Sequence, residues 1–217
     1  MITYAPGQEG KPHRSTAEIA ASYDAQARSS YVTKLRNPFF ARYGRAVGRK
    51  LAELKPLSLL DVGTGDGYTL NYALEEVRVP AVFGVDASKE RLRIAESILD
   101  PRNVTFIQAD LFNLPFGDGA FDVVMTSHAL EPNGGREVDG IRELHRVARR
   151  YVLMVEPDYD AAPPAGKKRM QRLGYVSNIL EAIELLGLEL HEYEEFPEIG
   201  NPLNPSSCFL IRKAGNA

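Results

Sequence analysis

Three aspartates and a cluster of glycines occupy the chemically suggestive positions of this chain. The stretch LLDVGTGDGYTL sets Asp61, Gly63, Thr64, Gly65 and Gly67 between an apolar run and a helical pattern. Glycines there let the backbone turn sharply and approach a ligand with no Cβ in the way. Asp86, in GVDAS, follows Gly65 by twenty-one residues and ends a second apolar run. A carboxylate at that distance can accept both hydroxyl hydrogens of a ribose, or it can cap the following helix, as Ser88 could too. Asp110, in FIQADLFNLPF, ends a third run, and the SHALEPNGG stretch with His128 and Glu131 follows a fourth. With an ordinary pKa of about 6.5, an imidazole can take a proton from a hydroxyl or amine at neutral pH, and it can equally shape a loop through backbone hydrogen bonds. Glu131 is the weaker base of the two. Glu156 and Asp158, after a fifth run, and Tyr23 near the N-terminus are further candidates.

Those runs are the elements that must carry the site. Ser58 to Val62, Ala81 to Val85, Val104 to Ile107, Phe121 to Met125 and Tyr151 to Val155 read as strands, with helices expected near 67–77, 88–98 and 136–149. Such alternation implies a parallel sheet, whose ligands sit beyond the carboxyl ends of the strands. Two helices precede it. Ser15 and Glu18 have capping-box spacing, Asn37-Pro38 breaks the first helix, and Phe40, Tyr43, Val47, Leu51 and Leu54 form an amphipathic second helix ending before Lys55-Pro56. After Val155 the pattern predicts one helix over 167–186, with Met170, Leu173, Val176, Leu180 and Ile183 inward, then strands Leu188 to Tyr193 and Ser207 to Arg212. The link EEFPEIGNPLNPSS holds three prolines and no room for a crossover helix, so the final pair is expected to be antiparallel. Tyr31, Phe39, Phe40 and NPLNPSS read as core and loop, with cover over a pocket as the alternative.

The expected fold is α/β: a Rossmann-like, seven-stranded, mostly parallel sheet with an antiparallel edge strand and helices on both faces. Residues 1–14 read as a flexible tail, 15–56 as N-terminal helices that could form a lid, and 57–217 as the core of a single domain. A chain of 217 residues, 44% apolar and 25% charged, supports one packed core. The net charge of −3 leaves no footprint for a duplex, so no nucleic-acid partner is expected. Cys208, alone and flanked by Phe209, Leu210 and Ile211, reads as a core position; no cysteine–histidine cluster suggests a metal. With no secretion signal and no run near the roughly 20 apolar residues of a membrane span, a cytoplasmic location is expected. Oligomeric state is not legible.

Over residues 23 to 156 the motifs DVGTGDG, GVDAS, ADLFNLPF with FDVV following, and ELHRVAR together resemble the class I S-adenosylmethionine-dependent methyltransferases, in particular the broad group that includes the ubiquinone and menaquinone biosynthesis enzymes. YDAQARSSY looks like that family's N-terminal lid segment. The resemblance implies S-adenosyl-L-methionine as cofactor and a methyl transfer to oxygen, nitrogen or carbon of a small-molecule acceptor. Carried over by position, Asp61 and the Gly63 to Gly67 loop with Thr64 hold the methionine portion, Asp86 with Ala87 the ribose, and Asp110 with Leu111 the adenine edge, and Ser127 completes the cofactor set. His128 and Glu131, which follow the fourth strand at the crevice edge, are expected where the acceptor approaches. The chain departs from many relatives in RVARRYVLMVEPD, which lacks a proline-glycine-glycine turn, and in having Asn133 within SHALEPNGG. An NAD-dependent oxidoreductase is the chief alternative, but its G-x-G-x-x-G fingerprint would need glycine where this chain has Tyr68. A non-catalytic S-adenosylmethionine-binding subunit is the second.

Overall fold

The computed structural model describes residues 14–35, 37–99, 103–196 and 201–213. Of the tail expected over 1–14, all but Arg14 lies outside them. Helix α1 (Thr16–Leu35) opens with the capping box: Ser15 N–H donates to the Glu18 carboxylate at 2.7 Å, and Glu18 N–H donates to Ser15 Oγ at 3.3 Å. Asn37 caps α2 (Pro38–Leu54) by accepting from Phe39 N–H, with Pro38 at the first helical position where its missing N–H costs nothing. Tyr43, Val47 and Leu51 form the buried stripe of α2.

The expected alternation follows as β1 (Ser58–Val62), α3 (Tyr68–Glu76), β2 (Ala81–Asp86), α4 (Lys89–Ile98), β3 (Val104–Gln108), β4 (Phe121–Ser127), α5 (Glu137–Val147) and β5 (Ala148–Pro157). After α6 (Pro164–Leu173) and α7 (Ile179–Leu185) come β6 (Glu189–Glu195) and β7 (Ser206–Arg212). The sheet runs β3-β2-β1-β4-β5-β7-β6. β7 enters antiparallel to both β5 and β6, as the short proline-rich link requires. The order reverses between β1 and β4, and at that switch point the flanking loops diverge and leave a crevice.

Side chains alternate across the sheet with period two. Leu60, Val124, Met154 and Phe209 enter one core with α5 and α7; Leu59, Met125, Leu153 and Cys208 enter the other with α2 and α3. Cys208 is fully buried, in keeping with its apolar flanks.

One expected helix is two. Gly174, at φ +69°, closes α6 with its N–H turned back to the Gln171 and Met170 carbonyls, and α7 starts only at Ile179. The apolar spacing across 167–186 came from three segments. Met170 sits on α6, Ile183 on α7, and Val176 is buried in the link between them, while Leu173, expected inward, is 38% exposed. A left-handed glycine ended a pattern that periodicity alone carried through. Among the described residues no helix is long and apolar enough to cross a membrane.

Candidate active site

Beyond the carboxyl ends of β1, β2, β3 and β4 lies a cleft with about 590 Å³ of empty space open to solvent. Of the residues expected at a site, Gly63, Asp86, Ala87, Asp110, Leu111 and His128 line it; Asp61, Thr64, Gly65, Gly67, Ser127 and Glu131 are not among its lining residues. The glycine loop is built by backbone conformation. Gly63, Gly65 and Gly67 all take positive φ, between +58° and +74°, and the Gly63 and Thr64 N–H groups donate to the Val85 carbonyl, tying β1 to β2. A Cβ on Gly63 would stand 2.3 Å from the Cβ of Ala129, so no other residue fits there without moving the β4 loop.

Asp86 bridges two loops. Its Oδ2 accepts from Gly65 N–H at 2.9 Å and its Oδ1 from Ser88 N–H at 2.8 Å, while Ser88 Oγ is the cap of α4. Burial pushes the Asp86 carboxyl up, and these N–H donors, with Arg91 nearby, pull against it. A carboxylate has about four lone-pair sites, so two N–H bonds leave room for hydroxyl donors. Asp110 organises its own turn by accepting from Phe112 N–H at 3.0 Å.

Helix α1 lies over this edge through polar ties. Asp24 accepts from Ser88 Oγ at 2.5 Å and from Glu90 N–H at 3.1 Å, and Tyr23 stacks beneath the Arg91 guanidinium. Lys34 pairs with Asp66, a glycine-loop carboxylate only 1% exposed, at 2.8 Å. Thr16, Ile19 and Tyr23 line the cleft.

On the β4 side, His128 takes φ +55°, a left-handed value that a histidine adopts only when its surroundings fix it. Its Nδ1 meets the Glu131 carboxylate and its Nε2 lies 3.2 Å from Ser206 Oγ, within the NPLNPSS stretch. Burial pushes the imidazole pKa down, but the bond and charge of Glu131, with the Glu156 charge, outweigh it and hold it above its ordinary value against Lys34. Glu131 is correspondingly held low: burial raises it, and His128 and Tyr175 more than reverse that. Ser127 Oγ sits 2.6 Å from the Tyr43 hydroxyl.

Glu156 and Asp158 are differently occupied. Glu156, fully buried, accepts from the N–H groups of Ala129, Leu130 and Glu131 at 3.0 to 3.1 Å. Asp158 accepts from Asp160 and Ala161 N–H and from the hydroxyls of Tyr193 and Ser207. Both bind their own fold together.

A family model described as a methyltransferase domain matches residues 59–150. The chain is 25% identical over 183 residues to the ajmaline N-methyltransferase of Rauvolfia serpentina, covering 75% of this chain and 61% of that protein. It spans between 42% and 61% of the length of the first curated relatives it matches. It is 32% identical over 190 residues to the demethylmenaquinone methyltransferase of Thermus thermophilus, with 84% of this chain and 81% of that protein covered. The chain belongs to the S-adenosylmethionine-dependent methyltransferases. A solved methyltransferase of this kind from Aquifex aeolicus shares the fold at a TM-score of 0.60 and 20% identity, covering 85% of this chain and 98% of that one.

The family's cofactor is S-adenosyl-L-methionine, and the residues of this chain fit it. Asp61 is 2% exposed, and among the described residues neither its Oδ2 nor Thr64 Oγ1 has a hydrogen-bond partner, so the pair leaves polar atoms that an amino-acid arm can satisfy. Gly63 leaves the space a Cβ would fill, and Asp86 stands at the rim of the cleft. Several residues of the site escaped sequence reasoning. Lys34, Arg91 and Tyr43 are ordinary members of helices, and Tyr175 fell inside a stretch read as helix; none carries a local signal.

Proposed function

We propose that this chain transfers a methyl group from S-adenosylmethionine to a small-molecule acceptor. The observation that carries the reading is the buried Oδ2 of Asp61, without a donor among the described residues, at the start of a glycine loop whose Gly63 lines the cleft. When bound, S-adenosylmethionine supplies a methyl made electrophilic by the adjoining sulfonium. Asp61 and the Gly63 to Gly67 loop with Thr64 and Ser127 hold the amino-acid arm, Asp86 and Ala87 the ribose hydroxyls, and Asp110 and Leu111 the adenine edge. The protein's main task is then alignment of the acceptor and exclusion of water. Helix α1 acts as a lid, tied by Asp24 and Lys34 to the two loops that hold the donor. His128 and Glu131 form the acceptor wall. With both ring nitrogens of His128 engaged, the imidazole orients the acceptor rather than removing its proton. The Rauvolfia and Thermus relatives are named for different acceptors, which supports a shared donor site and an acceptor set by the less regular wall.

Calorimetry tests the reading. S-adenosylmethionine and S-adenosylhomocysteine should bind and NAD should not; binding of NAD alone would overturn it. Asp86→Ala should lose charge-assisted hydrogen bonds worth about 1.5–3 kcal/mol, a 10- to 150-fold weaker dissociation constant. An unchanged constant in the folded variant removes Asp86 from the site.

A further inference from the structure

Glu131 is held from two sides. Its carboxylate meets His128 Nδ1 on one and faces the Tyr175 hydroxyl on the other, while its carbonyl accepts from Val176 N–H at 3.0 Å. The second side exists because α6 stops at Gly174 and the chain then crosses the 131–134 loop. Gly134 N–H donates to the Gly174 carbonyl at 3.1 Å, and a Cβ on Gly134 would lie 2.3 Å from the Tyr175 carbonyl oxygen. Two backbones in such contact fix where the Tyr175 ring starts. The Arg169 guanidinium lies 5.5 Å from the centre of that ring and steadies its other face.

We propose that Tyr175 is a positioning residue for the acceptor wall: its hydroxyl holds the Glu131 carboxylate against His128 and so fixes how the imidazole faces the cleft. The proposal rests on reading His128 as part of that wall. Tyr175 acts through Glu131 and not on the reacting atoms. His128 is faced by Glu131 from its own loop, Glu156 from β5, Lys34 from α1, the Tyr43 ring edge from α2 and Ser206 from β7. Glu131 is faced by Tyr175 and Arg169 from α6 and its following turn, and by Tyr23 from α1. Glu131 keeps 15% of its side chain exposed, so without the Tyr175 hydroxyl its carboxylate can turn towards water. His128 would then lose its strongest support, and burial would pull its proton affinity down.

The test is an NMR titration of the His128 imidazole in ligand-free wild type, Tyr175→Phe, Glu131→Gln and the double variant. Phenylalanine keeps the ring and removes only the hydroxyl. Tyr175→Phe should lower the His128 pKa by at least about half a unit, Glu131→Gln by more, and adding Tyr175→Phe to Glu131→Gln should change nothing further. A His128 pKa in Tyr175→Phe that matches or exceeds wild type, or an equal shift with and without Glu131, overturns the proposal. Neither donor nor acceptor enters the measurement. S-adenosylhomocysteine calorimetry on the same samples therefore tests the methyltransferase reading separately, and its failure in wild type would leave the Tyr175 result standing.

Discussion

Asp61, at the end of β1, and Glu156, at the end of β5, are both buried carboxyls that burial pushes up to about 7, yet their company is opposite. Asp61 keeps an oxygen with no donor among the described residues, whereas Glu156 takes three backbone N–H groups. The same contrast runs along the two walls of the cleft. On the β1–β3 wall, glycines and aspartates leave room and lone pairs for something else. On the side of β4, β5 and β7, where His128 alone of these four lines the cleft, Glu156, Asp158, Glu131 and His128 are spent largely on each other, on neighbouring hydroxyls and on the backbone. A buried acceptor without a donor at the end of a strand over the cleft is open to a ligand, whereas one with a full set of donors is a joint in the fold.

The contrast breaks most visibly at Gly63. Gly63→Ala forces a left-handed alanine, costing about 1–3 kcal/mol in backbone strain before the overlap with Ala129 is added. Thermal melting should fall by roughly 5–10 °C, and affinity for S-adenosylhomocysteine by more than about 100-fold. Near-wild-type binding would show that the loop does not depend on that close approach.

Glu156→Gln tests the other wall. Exchanging one acceptor oxygen for an amide that faces backbone N–H groups should cost about 1–3 kcal/mol of stability in urea unfolding while leaving the S-adenosylhomocysteine dissociation constant within about twofold. Equal losses in binding and stability would erase the distinction between the walls.

The smallest effect is a pH dependence. A carboxyl raised above its unfolded value keeps a proton in the folded state that the unfolded chain has released, so Asp61 subtracts stability as pH rises from about 4 towards about 7. An ammonium beside it favours the charged form, so ligand binding expels that proton. Affinity for S-adenosylhomocysteine should weaken as pH falls below about 7, by at most about tenfold per unit, with proton release seen by calorimetry in buffers of different ionisation enthalpy. Asp61→Asn should abolish the release; a release that persists in that variant would assign the proton elsewhere.

The sequence by itself determined what local pattern can carry. Short apolar strand runs, a glycine loop after β1, aspartates closing β2 and β3 and a link too short to cross over were each legible within a dozen residues. Together they yielded the sheet, the antiparallel β7 and the Gly63, Asp86 and Asp110 positions around the cleft. Tertiary structure decided how long side chains divide their hydrogen bonds. Glu156 was read as facing an acceptor because it ends a strand, but Ala129, Leu130 and Glu131, twenty-five or more residues away in sequence, present their N–H groups to it. Tyr175 reaches Glu131 only because Gly174 ends α6 and Gly134 admits the returning backbone. Such partners are set by distances between elements, and periodicity along one element holds no record of them.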